Sequence, residues 1–243
     1  MENLNSTEPT VGPVASPNGA SGLSLKGLFE IFYQPFKFFT KLKENPKILV
    51  PSLAVIIISL ISIYLISDIL VKMQLESEAM QQRLQGQPLP PNVQFVMKIN
   101  IIIFAGLASV LLPLVTAGIA FFWGNFVYGG KARFKQVLSV VLYGQFLFDV
   151  GGLIASLIIM AKGSFMAPFS LGVLAAQQGF DSIPFIALSK IDLFNIWEII
   201  VIGIGLAVIY NFERNKGYTI SVLSVGLLSI LHIIIAAIGD MIM

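Results

Sequence analysis

Cysteine is absent and histidine occurs once in the 243 residues. The first absence excludes disulfides, thiolate metal sites and cysteine nucleophiles. The second leaves His232 as the only imidazole, so a Ser–His–Asp arrangement would have to use it, with Ser229 as a poorly supported nucleophile. His-Glu-x-x-His, Gly-x-Ser-x-Gly and phosphate-loop patterns are also missing. The chain therefore reads as non-enzymatic, with no catalytic residue, no cofactor and no metal site expected. Charge is scarce as well. Asp, Glu, Lys and Arg make up 12% of the residues, against about a quarter in soluble domains. A net charge of +2 gives no footing for nucleic acid, and none is expected as a partner. Met1 to Ser24 has no apolar core of the signal-peptide kind. Its Ser, Pro, Gly, Asn and Thr predict a disordered tail over 1–23. The first span is then expected to act as the insertion signal.

Apolar residue is what the chain has in excess: 56% hydrophobic and a mean hydropathy of +0.86. A soluble chain of this length has too little interior for so much apolar side chain, whereas lipid tails can cover the surplus. Crossing about 30 Å of hydrocarbon takes about 20 apolar residues at about 1.5 Å each. Five stretches qualify: Ile48–Val71, a stretch within Val96–Tyr128 that contains Pro113, Val137–Ala161, Asp192–Phe212 and Thr219–Met243. The second exceeds the minimum and predicts tilt or a kink at Pro113. The runs are continuous rather than alternating, which favours helices over a barrel. The predicted fold is an all-α bundle of five transmembrane helices with an N-terminal amphipathic segment, the lead-in over 24–46 and the membrane domain over 47–243.

Lysine and arginine in the loops set the expected orientation. Lys26, Lys37, Lys41, Lys43 and Lys47 precede the first span. Lys131, Arg133 and Lys135 lie between spans two and three, and Arg214 and Lys216 between four and five. The other side holds Lys72, Arg83, Lys98, Lys162 and Lys190, spread over longer loops. This bias puts the N-terminus in the cytoplasm and the C-terminus outside the cell membrane. Trp197 near one boundary, and Trp123, Tyr128 and Tyr218 near the other, read as interface anchors. Lys131, Arg133 and Lys135 read first as orientation determinants, with lipid phosphate as a second role.

Leu25, Leu28, Phe29 and Phe32 repeat at helical spacing behind Ser24, a reasonable N-cap. Pro35 can open a second short helix, in which Phe36, Phe38 and Phe39 mix with Lys37, Lys41 and Lys43. Such a segment suits the interfacial plane. Phe29, Phe32, Phe36, Phe39, Lys37, Lys41 and Lys43 are therefore candidate lipid contacts. The alternative is that the segment packs on the ends of the spans. In the outer loops, Lys72–Gln94 is expected to extend the first helix until Pro88, Pro90 and Pro91 stop it. Pro168 can start a short surface helix running to Gln178, with Gly179 ending it.

Three blocks resemble the Yip1 domain family. They are Ile31 to Phe39 with Leu42-Lys43-Glu44-Asn45-Pro46, then Gly129 to Gln136 leading into Val141-Leu142-Tyr143-Gly144, then Ile191 to Trp197. They fall in family order and cover nearly all of the chain after the tail. The resemblance implies a five-helix membrane domain. Eukaryotic members bind small Rab GTPases in vesicle traffic and carry an Asp-Leu-Tyr-Gly-Pro stretch before the first span. That stretch is absent here, as is the proline that usually follows the tyrosine motif, here Tyr143. The sequence resembles a prokaryotic-type member, for which the family implies no established activity, so GTPase binding is not carried over.

An ionisable residue within a span is expensive and is by default a functional candidate. Asp149, Glu198 and His232 are such residues. At helical rise Glu198 lies about 9 Å and His232 about 12 Å from one end, and Asp149 about 20 Å from Lys162. Stripes of polar and small residues accompany them: Gln145, Asp149, Gly152 and Ser156; Asn195, Glu198 and Gly205; Ser229, His232, Ala236 and Gly239. Pro113, Ala117, Ala120 and Gly124 form a similar face on span two. Small and polar stripes mark helix contacts in membranes. Asp149, Glu198, His232, Gln145 and Asn195 thus form a candidate intramembrane polar cluster. It either holds the bundle together or lines a polar pocket or proton-linked path; one His and two carboxylates make a weak metal site. The expected function is a membrane-organising scaffold that contacts lipids and another membrane protein or itself. The alternative is a small-solute or ion transporter.

Overall fold

The structure, a computed structural model, describes residues 25–242 apart from 86, 88, 166, 167 and 181. The expected tail over 1–23, the Ser24 cap and Met243 lie outside the described residues, as do the side chain of Leu25 and the surroundings of Gly239. The elements are α1 (Leu25–Tyr33), α2 (Pro35–Glu44), α3 (Leu49–Glu76), α4 (Glu78–Leu84) and α5 (Val93–Phe121). They continue as α6 (Phe134–Lys162), α7 (Ile183–Ser189), α8 (Leu193–Tyr210) and α9 (Arg214–Ile242). A π-helical turn, Phe122–Val127, prolongs α5, and a 3-10 helix spans Leu171–Gln178. Among the described residues there is no strand, only an isolated bridge between Ser170 and Asp192.

Five helices are long and apolar enough to cross a membrane: Leu49–Glu76, Val93–Val127, Phe134–Lys162, Leu193–Tyr210 and the Arg214–Ile238 part of α9. These are the five expected spans with shifted ends. Only α6 is buried along most of its apolar length. It packs on α3, α5 and α8, and α9 closes the bundle against α8 and α5. The outer helices turn large residues such as Ile57, Phe104, Leu111 and Ile235 outward. In water these would be a liability; in hydrocarbon they are solvated by lipid.

Small side chains let the helices meet. Gly203 lies against Tyr218, and Gly217 against Ala207 and the Gly203 carbonyl, so α8 and α9 approach closely just past their hairpin turn. Ser221 Oγ donates across that joint to the Ile199 carbonyl at 2.7 Å. Such contacts replace the hydrophobic drive that lipid removes. The packing face of α9 is Gly217, Ile220, Ser221, Ser224 and Val225, all buried. The stripe expected there, Ser229, His232 and Ala236, is instead half-buried or exposed. On α5 the expected face is the observed one: Pro113, Ala117, Ala120 and Gly124 are buried.

The helix runs through Pro113 without ending. Past Phe121 the π-turn brings Gly124 under the ring of Tyr210, where a Cβ would stand 2.2 Å from a ring carbon. Gly129, at φ +67°, then turns the chain in a region that favours glycine. At the far end, the 3-10 helix ends at Gly179 as expected but is capped by Ser170 rather than opened at Pro168. The short α7, capped by Ser182, was not foreseen.

Candidate functional site

Asp149 lies near the middle of α6 and is buried, as is Glu198 on α8. One oxygen of Asp149, Oδ1, accepts from Gln145 Nε2, one turn earlier, at 3.1 Å. Ser59 of α3 approaches the same carboxyl. Asp149 Oδ2 has no hydrogen-bond partner among the described residues. Glu198 of α8 lies near enough for the two carboxyls to influence each other. The pair therefore joins α6 to α8, with Ser59 adding α3.

Glycines and large apolar side chains close the pair in. A Cβ on Gly144 would stand 2.3 Å from Ile202 and 3.5 Å from the Glu198 stem. A Cβ on Gly151 would stand 2.1 Å from the ring of Phe194. Phe194 is positioned by Asp192, whose Oδ1 accepts the N–H groups of Phe194 at 2.8 Å and Asn195 at 3.2 Å. The sequence singled out Gly152 as the small residue on this face, but Gly152 faces open space and Gly151 makes the contact.

Of the five residues expected to cluster, Asp149, Glu198 and Gln145 are brought together. Asn195 is half-buried one turn before Glu198 and serves the N-terminus of α8 through its backbone. His232 is exposed and pairs with Lys190, Nδ1 to Nζ 2.9 Å, rather than with Glu198. That contact ties α9 to the end of α7. Burial lowers the Lys190 amine from its ordinary value, which suits a donor to a ring nitrogen. Among the described residues no three His, Asp or Glu side chains converge as metal ligands would. Ser59, Lys190, Gly151 and Phe194 were missed by sequence reasoning; each is an ordinary residue whose role appears only when neighbouring helices are placed.

The lead-in is a second candidate surface, and here the structure corrects the expectation. Phe39 is fully buried rather than interfacial, and Phe38 and Leu42 are buried beside it. The Phe39 ring reaches α8 at Gly205, and Phe38 meets Tyr143 of α6 edge to face at 4.6 Å between centroids. Phe32 packs edge-on to Phe146. Lys43 donates to the Val208 carbonyl at 2.9 Å and to Asn211 Oδ1 at 2.6 Å. Lys41 pairs with Glu30 at 2.8 Å, within the lead-in. Gln136 fastens the end of α2, donating to the Lys43 carbonyl at 2.9 Å while its Oε1 accepts from the Arg133 N–H. Of the seven residues expected at lipid, Phe29, Phe36, Lys37 and Lys41 remain exposed, with Tyr33 beside them. The amphipathic period was legible, but the apolar stripe meets protein, because the cleft between α6 and α8 offers it a floor at Gly205.

Fold and site together define a multi-pass, all-α membrane protein with five transmembrane helices and a lead-in folded into the bundle. The Yip1 domain family matches residues 29–237, and the chain belongs to that family. No curated protein matches it. No solved structure matches it either.

Proposed function

We propose that this protein is a non-enzymatic organiser of the membrane, a scaffold whose working surface is the docked lead-in. The observation that carries the reading is the way Phe38 and Phe39 lock α2 between α6 and α8. Phe29, Tyr33 and Phe36 are thereby held outward, more than half exposed, beside Lys37. Rigid aromatic rings with adjacent cations suit a lipid boundary or the aromatic-rich core of a protein interface. The partners in this reading are membrane lipids and a second membrane protein or another copy of the chain, not nucleic acid and not a Rab-type GTPase. Ten of the 15 lysines and arginines fall in the segments at the lead-in end, which supports a cytoplasmic N-terminus and an outer C-terminus in the cell membrane.

Substituting Phe29, Tyr33 and Phe36 together by serine tests this. The variant is expected to insert and melt as the wild type does, yet to lose the complex that the wild type forms in native membranes. Wild-type protein that migrates as an isolated monomer in mild detergent, or a complex unchanged by the triple substitution, would overturn the reading.

A second reading, a small-solute or ion transporter, is favoured by one observation: Asp149 Oδ2 is buried within a span with no hydrogen-bond partner among the described residues, and Glu198 of the neighbouring helix is buried as well. Against it stands the enclosure of the pair by Phe194 and Ile202. Flux of protons or small cations into proteoliposomes, abolished by Asp149→Asn and Glu198→Gln, would install this reading in place of the first.

A further inference from the structure

A groove of about 430 Å³ runs between α2 and the corner where α8 turns into α9. Its polar and apolar walls are separated along the helix axis. Lys43, Asn211 and Arg214 stand at one end, and Ile204, Ala207 and Val208 form the floor toward the bundle centre. From Asn211 to Ile204 is seven residues, about 10 Å of helix. The groove thus begins at the boundary where α8 ends and reaches into the hydrocarbon layer.

The two cations at its mouth have no counter-charge. Lys43 is held by neutral acceptors, the Val208 carbonyl and Asn211 Oδ1. Arg214 lies over the ring of Phe36, 5.9 Å from its centroid. Among the described residues neither is in an ion pair, and Glu213, next in the chain to Arg214, pairs with neither. Two unneutralised cations at a membrane boundary attract an anion. The apolar floor below them decides what kind: a soluble phosphate has nothing to place there, whereas an acyl chain does.

We propose that this groove binds one anionic phospholipid, its phosphate between Lys43 and Arg214 and an acyl chain along Ile204, Ala207 and Val208. The site rests on the docked position of α2 described above, because Phe36 and Lys43 supply one wall. The lipid would act as a bolt across the lead-in and the α8–α9 corner, making docking sensitive to the charge of the surrounding leaflet.

The test reconstitutes the full chain in nanodiscs of phosphatidylcholine with a minor share of phosphatidylglycerol and measures the lipid retained on extraction by native mass spectrometry. Wild-type protein should retain phosphatidylglycerol over phosphatidylcholine. Arg214→Gln should reduce that preference about five-fold, one interfacial charge being removed. Ile204→Trp, which fills the floor, should reduce it without changing charge. Lys72→Gln, at the far end of α3, should leave it unchanged. Excess inorganic phosphate should not displace the lipid. No preference in the wild type, equal preference in all variants, or displacement by inorganic phosphate would overturn the proposal. A cross-link between positions 43 and 211, made in a separate Lys43→Cys, Asn211→Cys protein, separates the two ideas: efficient joining there, with no lipid preference in the wild type, refutes the lipid site and leaves the docked scaffold standing.

Discussion

The ring of Phe39 stands 3.0 Å from the point where a side chain on Gly205 would begin, with Val140 of α6 closing the other side at 2.5 Å. A helix from outside the membrane domain is thus seated on the backbone of a span, in a space that only glycine leaves open.

Phe39→Ala should empty that seat. Large-to-small changes of this kind cost about 3 to 5 kcal/mol where the site cannot collapse. The variant should show a lowered melting midpoint in detergent and proteolytic release of the segment before Leu49. Gly205→Leu should do the same from the other side by overpacking. Protease resistance equal to wild type in both would show that the seat contributes little.

The hydroxyl of Tyr210 is buried without a partner among the described residues, while its ring stacks on Phe212 at 5.0 Å. An unsatisfied buried hydroxyl costs about 1 to 3 kcal/mol. Tyr210→Phe should therefore raise the melting midpoint, whereas Gly124→Ala, which drives a methyl into the same ring, should lower it. A lowered midpoint for Tyr210→Phe would mean that the hydroxyl is satisfied after all.

Asp192 caps α8 and sits outside the span. Burial raises its carboxyl pKa above the ordinary aspartate value, opposed by the two backbone N–H groups it accepts. The folded chain then keeps this proton to higher pH than the unfolded chain, so this group's contribution to stability falls as pH rises from the ordinary value through the folded one, and is level beyond it. Melting curves across the acid range should show a steeper decline for wild type than for Asp192→Asn. Asp192→Ala should cost about 1 kcal/mol through loss of the cap. Parallel pH profiles for wild type and Asp192→Asn would contradict the assignment.

Glu198→Gln should be tolerated and mildly stabilising. An amide cannot ionise and can donate to the unpartnered Asp149 Oδ2, and interhelical hydrogen bonds in membranes average about 0.6 kcal/mol. The measurement is the detergent melting midpoint, and a fall on Glu198→Gln would show that the carboxyl itself is needed.

Much of this was legible in the sequence. The five spans follow from run length against hydrocarbon thickness, and the face of α5 from Pro113, Ala117, Ala120 and Gly124. Stripes of polar and small residues group Asp149 with Glu198, although helical rise puts Glu198 level with His232 and Asp149 about one and a half turns deeper. Periodicity, however, names the face a helix presents and not the neighbour that receives it. That is why Phe39 was assigned to lipid, and why His232 was grouped with Glu198 when it pairs with Lys190. Gly151 and Gly152 differ by one position of a helix turn, and only the placement of Phe194 separates them.

Because the chain has no cysteine, docking of the lead-in can be measured directly with one introduced pair. Lys43→Cys with Asn211→Cys, whose native side chains meet at 2.6 Å, should be joined efficiently in native membranes by a short bismaleimide. Lys43→Cys with Lys72→Cys is the control, since α3 begins at Leu49 and its rise from there to Lys72 is about 35 Å. Efficient joining of 43 to 211 and none of 43 to 72 is the predicted result. Joining of 43 to 211 no higher than the control would mean that the lead-in does not rest in the bundle, and the account built on it would fail.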